Sequence, residues 1–237
     1  MPPSFFFHHD AIWAAHPALA VGVLQLAQIT PDAQVAEPVA RHHALARERL
    51  AQGPEGEFPE IQAWRRAFSA MGLKPTQYRC AAESLLRRFR KDDRLPALHP
   101  LVDLCNAVSL AFAIPIAVFD LSRIDGGLEV RHARGDETHD SFAGAPEPPD
   151  AGEVIFADAA GHAHARRWCH RQSARSCVQA STSDVLVVAE ALHAGAADDV
   201  ARLMAALAGA VQTAGWAVRR QDRLQRAAPR FALAALV

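Results

Sequence analysis

Leu101–Asp120, LVDLCNAVSLAFAIPIAVFD, changes period at its middle, and that change points to a fold that mixes helices with strands. Leu101, Leu104, Val108 and Phe112 recur at spacings of three and four, the pattern of a helix opened by His99-Pro100. From Ile114 to Phe119, around Pro115, the apolar residues run on continuously, as in a strand. Asp103, Asn106 and Asp120 are the polar exceptions. Polar groups are costly to bury unpaired, so these three must face solvent, be satisfied internally or be presented to a ligand.

Toward the N-terminus, a short helical or irregular entry from Ala11 leads into ALAVGVLQLAQI (18–29), which suits a buried strand stopped by Pro31 and Asp32. Residues 36–51 carry strong helix formers and end at GPEG. Ile61, Trp64, Ala67 and Phe68 share one face of a helix closed by Gly72. Ala82, Leu85, Leu86 and Phe89 do the same for Ala81–Lys91, whose other side is basic. Toward the C-terminus, GLEVRHA (127–133), EVIFADA (153–159), HARRWCH (164–170) and DVLVVAEAL (184–192) are expected strands, with a loop at Pro146, Pro148 and Pro149. Val200, Leu203, Met204, Leu207 and Val211 mark an amphipathic helix over 197–216. Arg219, Arg220, Arg223, Arg226 and Arg230 oppose only Asp222, so 219–237 reads as a basic C-terminal tail. The expectation is an α+β fold: one domain over 1–218, a mostly antiparallel sheet flanked by helices.

A chain of 237 residues can bury a substantial core, and its 50% hydrophobic and 22% charged residues are ordinary for a folded protein. The formal charge of −1 means that any nucleic acid must be held by local patches and not by a global positive field. Four cysteines, Cys80, Cys105, Cys169 and Cys177, are too scattered for a disulfide scaffold. MPPSFFFHHD has no basic region followed by an apolar one, so cytoplasm is expected. The longest apolar run, Ala107–Phe119, falls well short of the roughly 20 residues that span a bilayer, so no membrane anchor is expected.

Twelve histidines raise the question of a metal, above all His162 and His164 with Cys169 and His170, but no HExxH or paired CxxC accompanies them and no metal is assigned. GxSxG, GxGxxG and GxxxxGK are also missing, so neither a serine nucleophile nor a nucleotide cofactor is implied. Cys105 reads as a packed thiol. Lys74, Arg79, Arg87, Arg88 and Lys91, with Arg90 and Arg94, outnumber Glu83, Asp92 and Asp93. Such a patch suits phosphates, although a solvated helix face has the same composition. Residues 164–184 crowd hydrogen-bonding groups between apolar strands and form a plausible pocket wall, unless their Ser and Thr hydroxyls serve their own turns.

Five blocks in order, AFSAMGLKPTQYRCAAESLLRR (67–88), HPLVDLCNAVSLAFAIPIAVFD (99–120), VRHARGDE (130–137), GEVIFAD (152–158) and RRWCHRQS (166–173), resemble the B3/B4-type editing domain of the bacterial phenylalanyl-tRNA synthetase β subunit. The similarity is greater to its free-standing relatives and covers roughly residues 60–190. It implies hydrolysis of the aminoacyl ester of mischarged tRNA, a second sieve for errors that binding differences of roughly 1–3 kcal/mol cannot reject. It also implies Asn106 as the amide that orients water or substrate, and Gln172 and Thr182 as further residues of the amino-acid site. Ser109, Ala117, Ser173 and Ser181 are the implied substrate-lining positions. Lys74, Arg79, Arg87, Arg88 and Lys91 would lie along the tRNA. Asp103 and Asp120 read as scaffold. Ala117 stands where the synthetase domain has a histidine and Gln172 where it has a glutamate, so the resemblance does not assign the amino acid removed. A module of the same fold that binds tRNA or an amino acid without hydrolysis is the alternative, and a docking protein without either activity is a third reading.

Overall fold

The computed structural model describes residues 4–236; Met1–Pro3 and Val237, at the ends of the expected domain and tail, lie outside the described residues. In chain order the elements are β1 (Phe5–His8), α1 (Asp10–Ala15), β2 (Ala20–Ala27), α2 (Ala36–Gln52), α3 (Pro59–Ala70), α4 (Ala81–Asp92) and α5 (Pro100–Phe112). They continue as β3 (Ile116–Asp120), β4 (Leu128–His132), β5 (Val154–Asp158), β6 (Ala163–Arg166), β7 (Arg171–Gln172), β8 (Val185–Ala191), α6 (Ala196–Thr213), β9 (Ala217–Leu224) and β10 (Arg230–Ala232). The fold is α+β, as expected, but its strands form two sheets. One runs β10-β1-β4-β5-β6-β7 and the other β3-β8-β2-β9. All their pairings are antiparallel except β1 with β4.

The four-stranded sheet is the middle layer, which explains why its strands lack a polar face. Val21 and Val23 of β2, Leu186 and Val188 of β8 and Phe119 of β3 point toward the six-stranded sheet, where they meet Phe6, Val130 and Phe156. The alternate residues Leu24, Leu26, Val185, Val187 and Val118 point toward α5 and α6. A strand covered on both faces loses its polar alternation and reads as continuous hydrophobicity. Helix α6 lies close on this sheet: a Cβ on Gly22 would stand 2.4 Å from Met204 Cγ and 2.8 Å from Val200 Cγ1. Trp64 and Phe68 of α3 and Leu86 and Phe89 of α4 close the side of the inter-sheet core.

Local chemistry sets the turn from α5 into β3. His99 caps the helix, its Nδ1 accepting the Leu101 N–H at 3.2 Å, and Pro100 occupies the first turn, where a missing N–H costs nothing. Ala113 takes a left-handed conformation (φ 55°), and the Ser109 hydroxyl donates to the Ile114 carbonyl at 2.7 Å. Pro115 then prevents the helix from resuming.

Two sequence expectations change. HARRWCH is not one strand: Arg167 and Trp168 both have positive φ (46° and 57°), which separates β6 from β7. The break turns the Trp168 indole into the core, where its Nε1 donates to Glu190 at 2.9 Å and its ring meets Trp64 edge-on at 5.0 Å. The basic residues read as a C-terminal tail enter both sheets: β9 pairs with β2, and β10 pairs with β1. Gln25 clamps the last stretch, its Oε1 accepting the Ala234 N–H at 2.7 Å and its Nε2 donating to the Ala234 carbonyl at 3.0 Å. Among the described residues no helix is long and apolar enough to cross a membrane.

Candidate functional site

A cleft of about 490 Å³ opens where α5 passes the edge strand β3. Val102 and Asn106, one helical turn apart, share a wall with Cys105; Ile116 and Val118 supply the strand side, and Gln172 reaches in from β7. Cys177–Ala180, Phe142 and Leu98 also line the cleft. Those last two side chains are large, apolar and about 70% exposed, so they leave a greasy rim. Among the described residues no carboxylate, lysine or arginine lines this cleft.

Its polar groups are amides and one imidazole. Asn106 is half-buried, and its side chain makes no hydrogen bond to another described residue. Gln172 donates from Nε2 to the Val118 carbonyl at 2.5 Å, which ties β7 to β3 and leaves Oε1 uncommitted. His99 also lines the cleft; burial lowers its pKa against the opposing pull of Asp103, so the ring is neutral near pH 7. Because Nδ1 accepts the Leu101 N–H, the neutral ring carries its proton on Nε2, which has no partner among the described residues. The Cys105 thiol is pushed up to about 12 by burial and is no nucleophile at neutral pH.

The other expected site residues do not converge on the cleft. Thr182 is buried: its hydroxyl donates to Asp120 Oδ2 at 2.7 Å and accepts the Gln179 N–H at 2.9 Å. It touches the cleft only through Gln179. Ser109 is consumed in ending α5, and the buried Ser173 hydroxyl donates to the Asp140 carbonyl at 3.0 Å. Ser181 is exposed on the neighbouring turn. Ala117, on the opposite face of β3 from Val118, lines a smaller cavity of about 60 Å³ between the sheets, which adjoins the cleft at Ile116 and Gln172. Asp103 and Asp120 are scaffold: Asp103 Oδ1 accepts the Leu98 N–H at 2.9 Å, and Asp120 holds Ser122 and Thr182. Cys177–Ala180 fall within the 164–184 segment read as a pocket wall, whereas His99 and Phe142 escaped the sequence reading. His99-Pro100 was legible as a helix start but not as a cleft wall, and Phe142 stands in a loop without a pattern.

The basic patch divides when its partners are traced. Arg65 and Arg79 point to Glu83, and Arg87 and Arg90 to Glu55, two carboxylates only 1–2% exposed. Lys74, Arg88 and Lys91 remain exposed, with Arg88 3.9 Å from Asp92 one turn along. The four suspected metal ligands are also separated in role. His162 and His164 each lie 3.1 Å from Asp158 Oδ2, while His170 Nδ1 is 2.8 Å from the Arg79 carbonyl and Cys169 is drawn into the core. Among the described residues two other groups bring three ligand atoms within 4.8 Å: Glu60, His193 and Asp199, and Asp125, Asp158 and His162. The chain's own donors already engage Glu60 through Arg49, Asp199 through His193, and Asp158 through two histidines and backbone N–H groups.

Comparison with known proteins places this architecture. Over 53 residues, 22% of the chain, it is 49% identical to the phenylalanine–tRNA ligase β subunit of Coxiella burnetii (strain RSA 493 / Nine Mile phase I). Over 93 residues, 39% of the chain, it is 34% identical to the same subunit of Sodalis glossinidius (strain morsitans). The matched stretches span only 7% and 11% of those curated relatives. Among solved structures, an N-terminal fragment of the phenylalanyl-tRNA synthetase β subunit from Pyrococcus horikoshii superposes over 93% of this chain and 54% of its own, with 8% identity and a TM-score of 0.49. Residues 63–206, more than half of the chain and including α5, β3 and β7, match the B3/4 domain, and the chain belongs to that family.

Proposed function

We propose that this chain is an aminoacyl-tRNA deacylase that acts in trans, in the cytoplasm, on mischarged tRNA. The observation that carries the reading is the cleft itself: a largely apolar cavity lined by both the uncommitted amide of Asn106 and the side chain of Gln172. An aminoacyl ester is already activated, so its hydrolysis needs a held water, a donor for the developing oxyanion and a shaped cavity, and no protein nucleophile. The acyl side chain occupies the uncharged cleft. The Asn106 carboxamide holds the attacking water or donates to the oxyanion, and the Gln172 Oε1 accepts from the amino group. Water adds to the carbonyl, the bond to the terminal ribose oxygen breaks, and that oxygen leaves as a hydroxyl. Thr182 acts through Gln179 as a positioning residue. Lys74, Arg88 and Lys91, not drawn onto buried carboxylates, steer the tRNA backbone.

Single-turnover deacylation over a panel of mischarged tRNAs tests this. The expected result is acceleration confined to neutral, apolar amino acids; a folded sample that accelerates none of them overturns it. Among the described residues no carboxylate stands in the cleft wall, which favours one second reading, a module that binds the same ligand without hydrolysis. That reading predicts salt-dependent tRNA binding and no ester cleavage.

A further inference from the structure

Beside the apolar cleft lies a groove of different chemistry, with a volume of about 500 Å³. Arg123, Arg175, Asp140, Ser122 and Gln179 are among its walls, and Gln179 also lines the cleft, so the two spaces adjoin at that side chain. The groove is firmly built. Asp120 Oδ1 accepts the N–H and hydroxyl of Ser122 at 2.9 and 2.6 Å, which fixes the short 3₁₀ turn Leu121–Arg123. Through Oδ2 and Thr182 the same carboxylate fixes Gln179. Arg123 is exposed and forms no ion pair with a described residue. Arg175 lies with Nε 3.1 Å from Asp140 Oδ2, which leaves its terminal nitrogens uncommitted.

We propose that this groove binds the terminal ribonucleotide of the acylated ligand, Arg123 and Arg175 taking its phosphate and the Asp140 side accepting from ribose hydroxyls. The inference rests on the deacylase reading and adds to it a nucleotide subsite. A patch that only tracks phosphates needs cations alone, whereas a ribonucleotide offers both an anion and hydroxyl donors. Guanidinium and carboxylate groups on one wall answer both. The position is the second argument: an acyl group in the cleft is esterified to a ribose, and the space next to Gln179 is where that ribose falls. Arg79 and Arg87, by contrast, already face buried carboxylates.

The test uses the full chain and non-hydrolysable analogues in which an amide joins the amino acid to 3′-amino-3′-deoxyadenosine, with and without a 5′-phosphate. The wild-type protein is expected to bind the phosphorylated analogue about tenfold more tightly, the strength of one charge-assisted contact. Arg123→Glu is expected to abolish that difference while leaving affinity for the unphosphorylated analogue and the melting temperature unchanged; Arg123→Gln, which keeps the size of the side chain, is expected to behave the same way. Equal affinity of the wild type for both analogues, or a difference that survives in both variants, overturns the proposal. So does adenosine monophosphate binding as tightly as its acylated form, because the groove would then serve free nucleotides. Ester hydrolysis is read separately: hydrolysis without any phosphate effect removes the subsite alone, and loss of both removes the deacylase reading with it.

Discussion

Buried polarity takes opposite forms around β5–β6 and in the cleft. Near β6, Arg166 and Glu153 form a two-pronged ion pair at 3.0 and 2.9 Å with both side chains 5% exposed, and Glu153 also accepts the Arg167 N–H. Asp158 gathers His162, His164 and three backbone N–H groups. Among the described residues the cleft is lined by no charged side chain, and Asn106 has no hydrogen-bond partner. Charges that satisfy one another hold a loop-rich sheet in register, while polar atoms left unsatisfied beside an apolar cavity are available to a ligand. The first region is therefore expected to answer mutation in stability, and the second in binding and rate.

The largest effect expected is from Glu153→Ala, which takes from the buried Arg166 guanidinium its two-pronged partner and leaves it the Glu147 carbonyl at 3.0 Å and the more exposed Glu147 carboxylate at 3.7 Å. Removing one partner of a buried pair costs about 3–5 kcal/mol, and chemical denaturation should show most of that loss. A variant with near-native stability would mean that the ion pairs around β6 are ornament. Next is Gly22→Ala, whose new methyl drives into Met204 and Val200 and should cost about 1–3 kcal/mol. An unchanged midpoint there would show that α6 is free to lift from the sheet.

Protonation gives a smaller and signed effect. His139 is fully buried and neither ring nitrogen has a partner among the described residues; burial, then Arg166, depress its pKa below the ordinary 6.5. Between that lower value and 6.5 the unfolded chain binds more protons, so the stability involved is complete above pH 6.5 and falls as pH drops through the window. Replacement by leucine, compared with wild type from pH 7.5 to 5, should flatten the profile; parallel profiles would contradict it. Glu137 extends the same trend into acid. Although burial opposes it, N–H groups of Arg134 and Gly135 and the Arg131 guanidinium hold its carboxyl at about 2, so its contribution persists above 4.5 and is lost as pH falls toward 2.

The contrast also explains what could be read from residues alone. Helix α5 and strand β3 were legible because spacing and Pro115 encode them locally, and Asn106 stood out as an amide in an apolar helix. Strand β1 was not, because FFFH acquires meaning only from pairing with Leu128–Val130, more than a hundred residues away. Strand β9 looked like a charged tail because it is an edge strand, and charges at an edge guard against unwanted pairing while weakening the apolar pattern. Arginine and tryptophan rarely take left-handed conformations, so the turn at Arg167–Trp168 had no signal in its residue types; the burial of the indole holds it there. For the site, Thr182 and Ser173 were attractive as hydroxyls, but the fold uses those hydroxyls to tie loops together.

The unpartnered Asn106 amide on α5 is expected to act on ligand and not on the fold. Single-turnover deacylation by Asn106→Ala, measured beside its melting temperature on the best substrate of the panel, tests it most directly. The rate is expected to fall about 100-fold, typical for loss of one oriented amide at a reacting ester, with a melting temperature within a few degrees of wild type. An unchanged rate, or a loss of rate matched by unfolding, would contradict it.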